Sequence, residues 1–155
     1  MARYKTPVTS AAALAVDTAF ASVVPAAAVA FKIRRVIIGT VAGTAAVADQ
    51  QLVFAVNRGS ARGTASTTLT PGKLDPRTAA AAITGIDTAW SVAPTLAAQD
   101  LLRVPFNAKS SADLPWELLE ELWSDVGTAN PLVFVNRANA LPASTSYVLT
   151  VEHEE

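Results

Sequence analysis

The strongest alternation of apolar and polar positions runs from residue 29 to residue 38, through β-branched and aromatic side chains with single or paired charges between them. This pattern favours a strand with one buried and one wetted face. The apolar side chains before and after Arg34-Arg35 fall one residue out of phase. Because one extra residue reverses the alternation, we predict a β-bulge at these arginines. The side chains that the bulge would bring to a common face are Phe31, Ile33, Val36 and Ile38.

A second long strand is predicted from residue 51 to residue 57, where Leu52, Phe54 and Val56 form a regular inward-facing set. A polar link that contains glycine joins it to the first strand across residues 39–50. We therefore predict that the two strands are antiparallel partners in one sheet.

Shorter runs of the same period predict further strands, separated by segments rich in turn-forming residues. These runs lie at residues 11–24, 67–70, 80–86, 89–92, 101–106, 131–136 and 146–151. Pro105 has no N–H to donate, so we expect it at a sheet edge or a strand end. Together the runs predict an all-β chain folded as an antiparallel β-sandwich, jelly-roll-like, of about eight strands.

The period changes between residues 113 and 125, where one short helix is predicted. Asp113 can cap its N-terminus, and Gly127 can close its C-terminus. The side chains that would dock this helix on the sandwich are Leu119, Leu122 and Trp123.

Three carboxylates follow the opposite face of this predicted helix, because Glu117, Glu121 and Asp125 recur every four residues. Such a set could hold Mg²⁺ or Ca²⁺. It also suits the solvated face of an amphipathic helix, which is the interpretation we adopt. We therefore predict no metal site and no cofactor.

The first ten residues precede the strong apolar pattern and begin with a short basic segment. We predict that residues 1–10 form an N-terminal arm, which contributes to attachment more than to folding. Residues 11–155 are predicted to form a single β-sandwich domain, since their length is typical of one domain.

Charged residues make up only 16% of the chain, against roughly 25% in a typical globular protein. A free monomer keeps a more charged surface, so we expect other chains to cover part of this one. An ordinary protein rich in alanine and threonine is the alternative interpretation. The net charge of −1 gives no general attraction to nucleic-acid phosphates.

The chain has no cysteine and a single histidine, His153. This excludes disulfides, thiol chemistry and zinc sites built from Cys and His. His153 lies in an acidic tail that we expect to be frayed, and no hydrolase triad is expected around it. The uncharged run at residues 18–31 is too short to span a bilayer, and Pro25 interrupts it, so no membrane contact is expected. Asp17 also interrupts the apolar segment that a signal peptide would require.

Five stretches carry a resemblance to a known group of proteins: residues 2–5, 31–39, 52–59, 70–75 and 147–152. In them the chain resembles small bacteriophage virion proteins of the head-decoration or minor-capsid type. The resemblance implies a jelly-roll-like sandwich that binds a preformed capsid lattice, often as a trimer, and catalyses nothing. Its partner would be the major capsid protein or another virion protein. The protein would be made in the host cytoplasm and lie on the capsid surface of the virion.

No residue is predicted to act in catalysis, but several side chains are candidates for contact with a partner. The paired arginines could meet an acidic surface, and a tryptophan could fill a subunit interface or serve as a stacking platform for sugars. The candidate interaction residues are Arg3, Tyr4, Lys5, Arg34, Arg35 and Trp116.

Two other classes of function remain open. The first is a carbohydrate-binding β-sandwich module of a phage tail or surface protein. Exposure of Trp90, Trp116 or Trp123 in a groove would favour it, whereas tryptophans buried in a core or interface would favour the structural protein. The second is an enzyme that uses carboxylates brought together by the fold.

Overall fold

The structure is a computed structural model that describes residues 1–43, 49–116 and 121–155. These residues contain twelve strands and no helix. The strands are β1 (Arg3–Thr9), β2 (Thr18–Val24), β3 (Lys32–Ala42), β4 (Gln51–Ala61), β5 (Thr64–Leu69), β6 (Gly72–Lys73), β7 (Gly85–Val92), β8 (Thr95–Asn107), β9 (Ser111–Pro115), β10 (Leu122–Trp123), β11 (Leu132–Arg137) and β12 (Thr145–Glu154).

The strands form two antiparallel sheets. Sheet A has the order β10-β3-β12-β1-β6, and β9 also pairs with β3. Sheet B has the order β5-β7-β2-β11-β4-β8. Within them lie four antiparallel pairs, β1 with β12, β2 with β11, β3 with β9, and β4 with β8, which alternate between the two sheets. This is the strand order of a jelly roll, so the predicted all-β sandwich is confirmed.

Aromatic and aliphatic side chains from both sheets fill the space between them. Phe20 of sheet B stacks on Tyr147 of sheet A with ring centroids 4.7 Å apart, and Phe54 meets Phe106 edge-on at 6.2 Å. The other large buried side chains include Phe31, Ile33, Ile38, Leu52, Leu132, Phe134 and Leu149. Burial of each such side chain contributes roughly 1.5–3 kcal/mol, which makes this layer the main source of stability.

The predicted β-bulge in β3 is confirmed. Arg35 lies opposite Glu152 of β12 and Ile33 lies opposite His153, so that Arg34 is the extra residue. The apolar side chains on both sides of the bulge are fully or almost fully buried, as the phase argument requires.

The predicted pairing of the first two strong strands is wrong. β3 belongs to sheet A and pairs with β12, β9 and β10, whereas β4 belongs to sheet B and pairs with β11 and β8. An inward-facing apolar set is expected both in two neighbouring strands of one sheet and in two strands that face each other across the core. Periodicity alone could not distinguish these two arrangements.

The predicted helix at residues 113–125 is wrong wherever the structure describes it. Asp113 and Leu114 belong to β9, and β10 brings Leu122 opposite Ile33 on the edge of β3. The backbone N–H of Trp116 donates to the carbonyl of Arg34 in β3, and the N–H of Ser124 donates to the carbonyl of Phe31, the residue before β3. These hydrogen bonds extend the contact with β3. The open edge of β3 offers hydrogen bonds that override the local helical spacing. The predicted positions Glu117 and Leu119 lie outside the described residues.

The segment predicted as an N-terminal arm is part of the sandwich. β1 lies between β12 and β6, and its residues alternate between exposed and buried. Tyr4 is only 2% exposed, and its ring stacks on His153 at 5.3 Å. The sequence pattern missed this strand because one of its inward-facing residues, Thr6, is polar and interrupts the apolar alternation.

The weaker predictions had mixed outcomes. The run at 80–86 is mostly outside strands, since β7 begins at Gly85, and the run at 11–24 becomes a strand only from Thr18. The other runs overlap β5, β7, β8, β11 and β12. Pro105 lies on β8, the outermost strand of sheet B, so the expected edge position is confirmed.

Because β1 is an interior strand of sheet A and buries Tyr4, we expect Tyr4→Ala to lower the free energy of unfolding by about 3–5 kcal/mol, the usual cost of removing a large buried ring. Urea denaturation measures this change. Lys5→Ala, at the exposed neighbouring position, should change stability by less than about 0.5 kcal/mol. Equal stability of the Tyr4 variant and the parent protein would show that β1 is not part of the folded core.

Candidate functional site

The bulge of β3 gathers four charged side chains at one end of sheet A, which we call the bulge cluster: Lys32, Arg34, Glu121 and Glu154. The Lys32 Nζ lies 3.7 Å from Glu121 Oε1 and 3.3 Å from Glu154 Oε1. Arg34 contacts both carboxylates, and its Nε lies 3.6 Å from Glu154 Oε2. The two carboxylates are largely removed from water and are paired with Lys32 and Arg34, and the exposed Arg3 also reaches Glu154, with its Nε 3.4 Å from Oε2.

The burial of Glu121 contradicts the predicted solvated stripe of acids. Its side chain is 1% exposed because it turns toward β3 from just before β10, instead of pointing outward from a helix. Asp125 remains on the surface, where its carboxylate accepts a hydrogen bond from the N–H of Val126. Across the described ranges, no group of three or more His, Cys, Asp and Glu side chains is placed to hold a metal ion.

The six predicted interaction residues divide into two groups. Arg3, Lys5 and Arg35 lie on the surface of sheet A; the Nε of Arg35 donates to Asp113 Oδ1 at 2.8 Å. The remaining three serve the fold: Tyr4 is buried, Arg34 belongs to the bulge cluster, and Trp116 is half-buried against the core.

The outer face of sheet A carries an uncharged patch, which we call the neutral face. Register aligns Pro7 with Thr150 and Ile37, and Thr9 with Val148 and Gly39. Their neighbours along each strand point into the core, so these residues point outward. Val41 and Val148 are 48% and 38% exposed. Charged side chains lie at the margins of this patch, among them Lys5, Arg35, Asp113 and Glu152.

Sheet B carries several ion pairs, as well as two exposed apolar side chains, Val92 and Leu101. Asp100 accepts hydrogen bonds from Asn57 Nδ2 at 2.8 Å, Arg103 Nε at 2.6 Å and Arg137 Nη2 at 2.7 Å. Burial alone would raise the pKa of Asp100, but these hydrogen bonds outweigh it and lower the pKa to about 2. Asp87 is fully buried and is held by two hydrogen bonds from Arg62.

A cleft of about 370 Å³ opens in sheet B where β2 and β7 separate. The two strands pair only at residues 22–24 and 85–87. Beyond these pairs the strands diverge, and the loop before β2 closes one side of the gap. The lining residues include Leu14, Asp17, Thr18, Phe20, Thr88 and Trp90.

Asn136 of β11 fixes the loop that lines this cleft. Its side-chain amide donates to the carbonyls of Ala15 and Asn139 at 2.9 Å, and it accepts a hydrogen bond from the Tyr147 hydroxyl at 2.7 Å. Burial raises the pKa of Tyr147, which keeps its hydroxyl protonated as a donor. This network was not anticipated, although an asparagine at the end of an apolar strand is a visible signal for it.

The three tryptophans occupy different environments. Trp116 packs against the core, and Trp123 is 49% exposed, with Lys32 Nζ 5.1 Å from its ring centre. Trp90 is half-buried in the cleft, and its indole nitrogen is fully buried. Only Trp90 combines a cleft position with a buried polar atom that has no partner among the described residues.

His153 is fully buried in β12, so the expectation of a frayed tail is wrong. Its ring lies between Tyr4 and Phe31, and its Nε2 is 3.5 Å from Glu155 Oε1. Burial lowers the pKa of His153 more than the nearby carboxylate raises it. The ring therefore belongs to the core as a neutral group at pH 7.

No family model, curated protein or solved structure matches the chain. Within the residues that the structure describes, no helix is long and apolar enough to cross a membrane. The interpretation of function therefore depends on the geometry of the faces and the cleft.

The bulge cluster predicts a large effect of Glu121→Gln, because this change leaves Lys32 and Arg34 with one buried anion between them. We expect the free energy of unfolding to fall by about 3–5 kcal/mol, as measured by urea denaturation. Glu152→Gln, whose carboxylate lies 4.0 Å from an exposed arginine, is the matched control and should cost about 1 kcal/mol or less. If the two substitutions had equal, small effects, the cluster would be no more than a surface ion pair.

The lowered pKa of Asp100 makes the stability of the fold depend on pH. Its pKa falls from 3.8 to about 2 on folding, so its contribution is complete above pH 4 and is lost as the pH falls from about 4 to 2. Asp100→Asn should therefore lower the melting temperature at pH 7, and the difference from the parent should shrink toward pH 2. Asp49→Asn, at a carboxylate that is 72% exposed, is the control and should show little difference at either pH. A pH-independent difference for Asp100→Asn would argue against these charged hydrogen bonds.

Proposed function

We propose that the protein is a non-enzymatic virion structural protein, a capsid decoration (cement) protein that binds and stabilises a phage head lattice. The neutral face of sheet A carries this proposal. Two sheets packed face to face make a rigid support, and this face presents exposed apolar and small polar side chains on it. Such a surface loses little solvation when it is covered by another protein.

The margins of the neutral face suit specific attachment. At one end Arg35 pairs with Asp113 and Arg3 lies 4.0 Å from Glu152, and Lys5 adds a further positive charge. Charges at the rim of an interface set its orientation and its rate of association, while the uncharged centre supplies affinity.

The buried acids support a role without catalysis. Glu121, Glu154, Asp87 and Asp100 each contact arginine, and for Asp100 the pKa is lowered. A general acid requires a raised pKa and access to a substrate. These four acids are therefore arranged as structural ion pairs.

We further propose that the protein assembles as a homo-oligomer, most simply a trimer. The low fraction of charged residues supports this, because part of such a surface is suited to contact with identical chains. The N-terminal segment is no longer a candidate for a separate attachment arm, since it forms β1. Contacts with the lattice would come from the neutral face itself.

Association tests this proposal directly. We expect light scattering after size exclusion to report a mass above that of one 16.1 kDa chain, and the protein to sediment with phage heads depleted of it. Val148→Glu places a charge on the neutral face and should lower the affinity for heads, measured by sedimentation, by about tenfold. Val126→Glu, at a similarly exposed valine outside both faces, should not. A monomer that does not bind heads would contradict the proposal.

The second candidate, a carbohydrate-binding module, is favoured by the position of Trp90 in the cleft of sheet B. This observation concerns a different surface, so the two functions do not exclude each other.

A further inference from the structure

A non-strand segment connects β6 of sheet A to β7 of sheet B, and we call its residues 79–83 the strap. The strap consists of four alanines followed by Ile83, which is 6% exposed and belongs to the core. In the described part of the chain, the hydrogen bonds of the strap go to two side chains of sheet A or its end. The Tyr4 hydroxyl donates to the carbonyl of Ala79 at 3.2 Å. The Glu155 carboxylate accepts from the N–H groups of Ala82 and Ile83 at 2.7 and 3.2 Å.

A single ring contacts both of these side chains. The His153 imidazole stacks on the Tyr4 ring at 5.3 Å, and its Nε2 lies 3.5 Å from Glu155 Oε1. Phe31 meets it edge-on at 5.9 Å. The ring is fully buried, and neither nitrogen has a hydrogen-bond partner among the described residues. Only the neutral form of the imidazole is well accommodated in such a place.

Few charged or titratable groups surround this ring. Tyr4 faces it from β1, and burial, followed by the charge of Glu155, raises the pKa of Tyr4 above 10, so its hydroxyl does not titrate near neutral pH. Phe31 and the strap carry no charge. Lys32 and Glu154 face the outer side of sheet A, since each adjoins a residue that faces the core. Among the described residues, Glu155 is therefore the charged side chain that acts on the ring.

Protonation of His153 disturbs both attachments of the strap. An imidazolium has two N–H donors, and its charge is unfavourable where it is removed from water. Its Nε2–H also competes with the N–H of Ile83 for the same oxygen of Glu155. We infer that His153 is an acid-sensitive latch, whose protonation releases the strap and opens this side of the sandwich.

Proton linkage gives the direction of this switch. In the closed form, burial lowers the pKa of His153, and Glu155 offsets this only in part. In the open form the ring is solvated and its pKa returns toward about 6.5, so the open form binds the proton more tightly. The stability of the closed strap is therefore complete above pH 6.5 and falls as the pH drops to the lowered pKa, by up to about tenfold per pH unit for one proton. The latch does not depend on attachment to a capsid, because none of its residues lies on the neutral face.

Hydrogen exchange of the ¹⁵N-labelled full chain tests the latch. Protection factors, which remove the intrinsic dependence of exchange on pH, are measured from pH 7 to pH 4. We expect those of the Ala82 and Ile83 amides to fall by about tenfold, because one proton is taken up on opening. Those of Val133 and Val135, which are buried in sheet B, should not change. The ring signal of the single histidine should titrate within the same range.

Two variants identify the titrating group. His153→Phe keeps an aromatic ring between Tyr4 and Phe31 but cannot take up a proton, so the protection of the strap should no longer depend on pH. Glu155→Gln keeps an oxygen that can accept from the strap amides, and the loss of protection in acid should remain. An acid effect that disappears in Glu155→Gln but persists in His153→Phe would overturn the inference.

The parent chain alone also decides the question if His153→Phe does not fold. Equal protection of the strap at pH 7 and pH 4 would overturn the latch. A histidine ring that stays neutral over the range in which the strap opens would overturn it as well.

Discussion

The single extra residue at Arg34 is the constraint on which sheet A depends. A regular ladder between β3 and β12 would bury either the apolar side chains before it or those after it, but not both. The bulge lets Ile33 and Val36 face the core together. It also directs Lys32 and Arg34 toward Glu121 and Glu154, so the chain uses the irregularity to join the edge strand β10 to the sheet.

The two outer faces differ because of where their charges lie. On sheet B, Asp100 is held by Arg103 and Arg137, and Asp87 is held by Arg62. On sheet A the charges collect at the bulge end and leave the centre uncharged. A face already covered by its own ion pairs has little to offer a partner, whereas an uncharged face does. This contrast is why the proposed attachment surface lies on sheet A.

The sequence was most informative where a strand had a long, regular pattern. The phase shift around Arg34-Arg35 correctly predicted the bulge, and Pro105 correctly predicted an edge strand, because both features follow from backbone geometry. The pattern failed where tertiary pairing decided the outcome. Residues 113–125 have helical spacing, yet in the described part β9 and β10 form strands because they hydrogen-bond to the open edge of β3.

The candidate sites were harder to predict because they depend on contacts between distant residues. Glu121 and Arg34 are far apart in sequence, and a carboxylate in a short apolar run gives no local sign of burial. The cleft arises where two strands diverge, and no pattern within either strand reports that divergence. Trp90 was visible as a candidate, but its unsatisfied nitrogen could be found only from the packing around it.

The register of β3 against β12 is the most direct test of this account, because it fixes which side chains form the core and which form the neutral face. Nuclear Overhauser contacts between backbone protons of the two strands measure it. We predict contacts that pair Arg35 with Glu152 and Ile33 with His153, with Arg34 as the extra residue between them. Contacts that place Arg34 directly opposite His153 would contradict the bulge and the assignment of both faces.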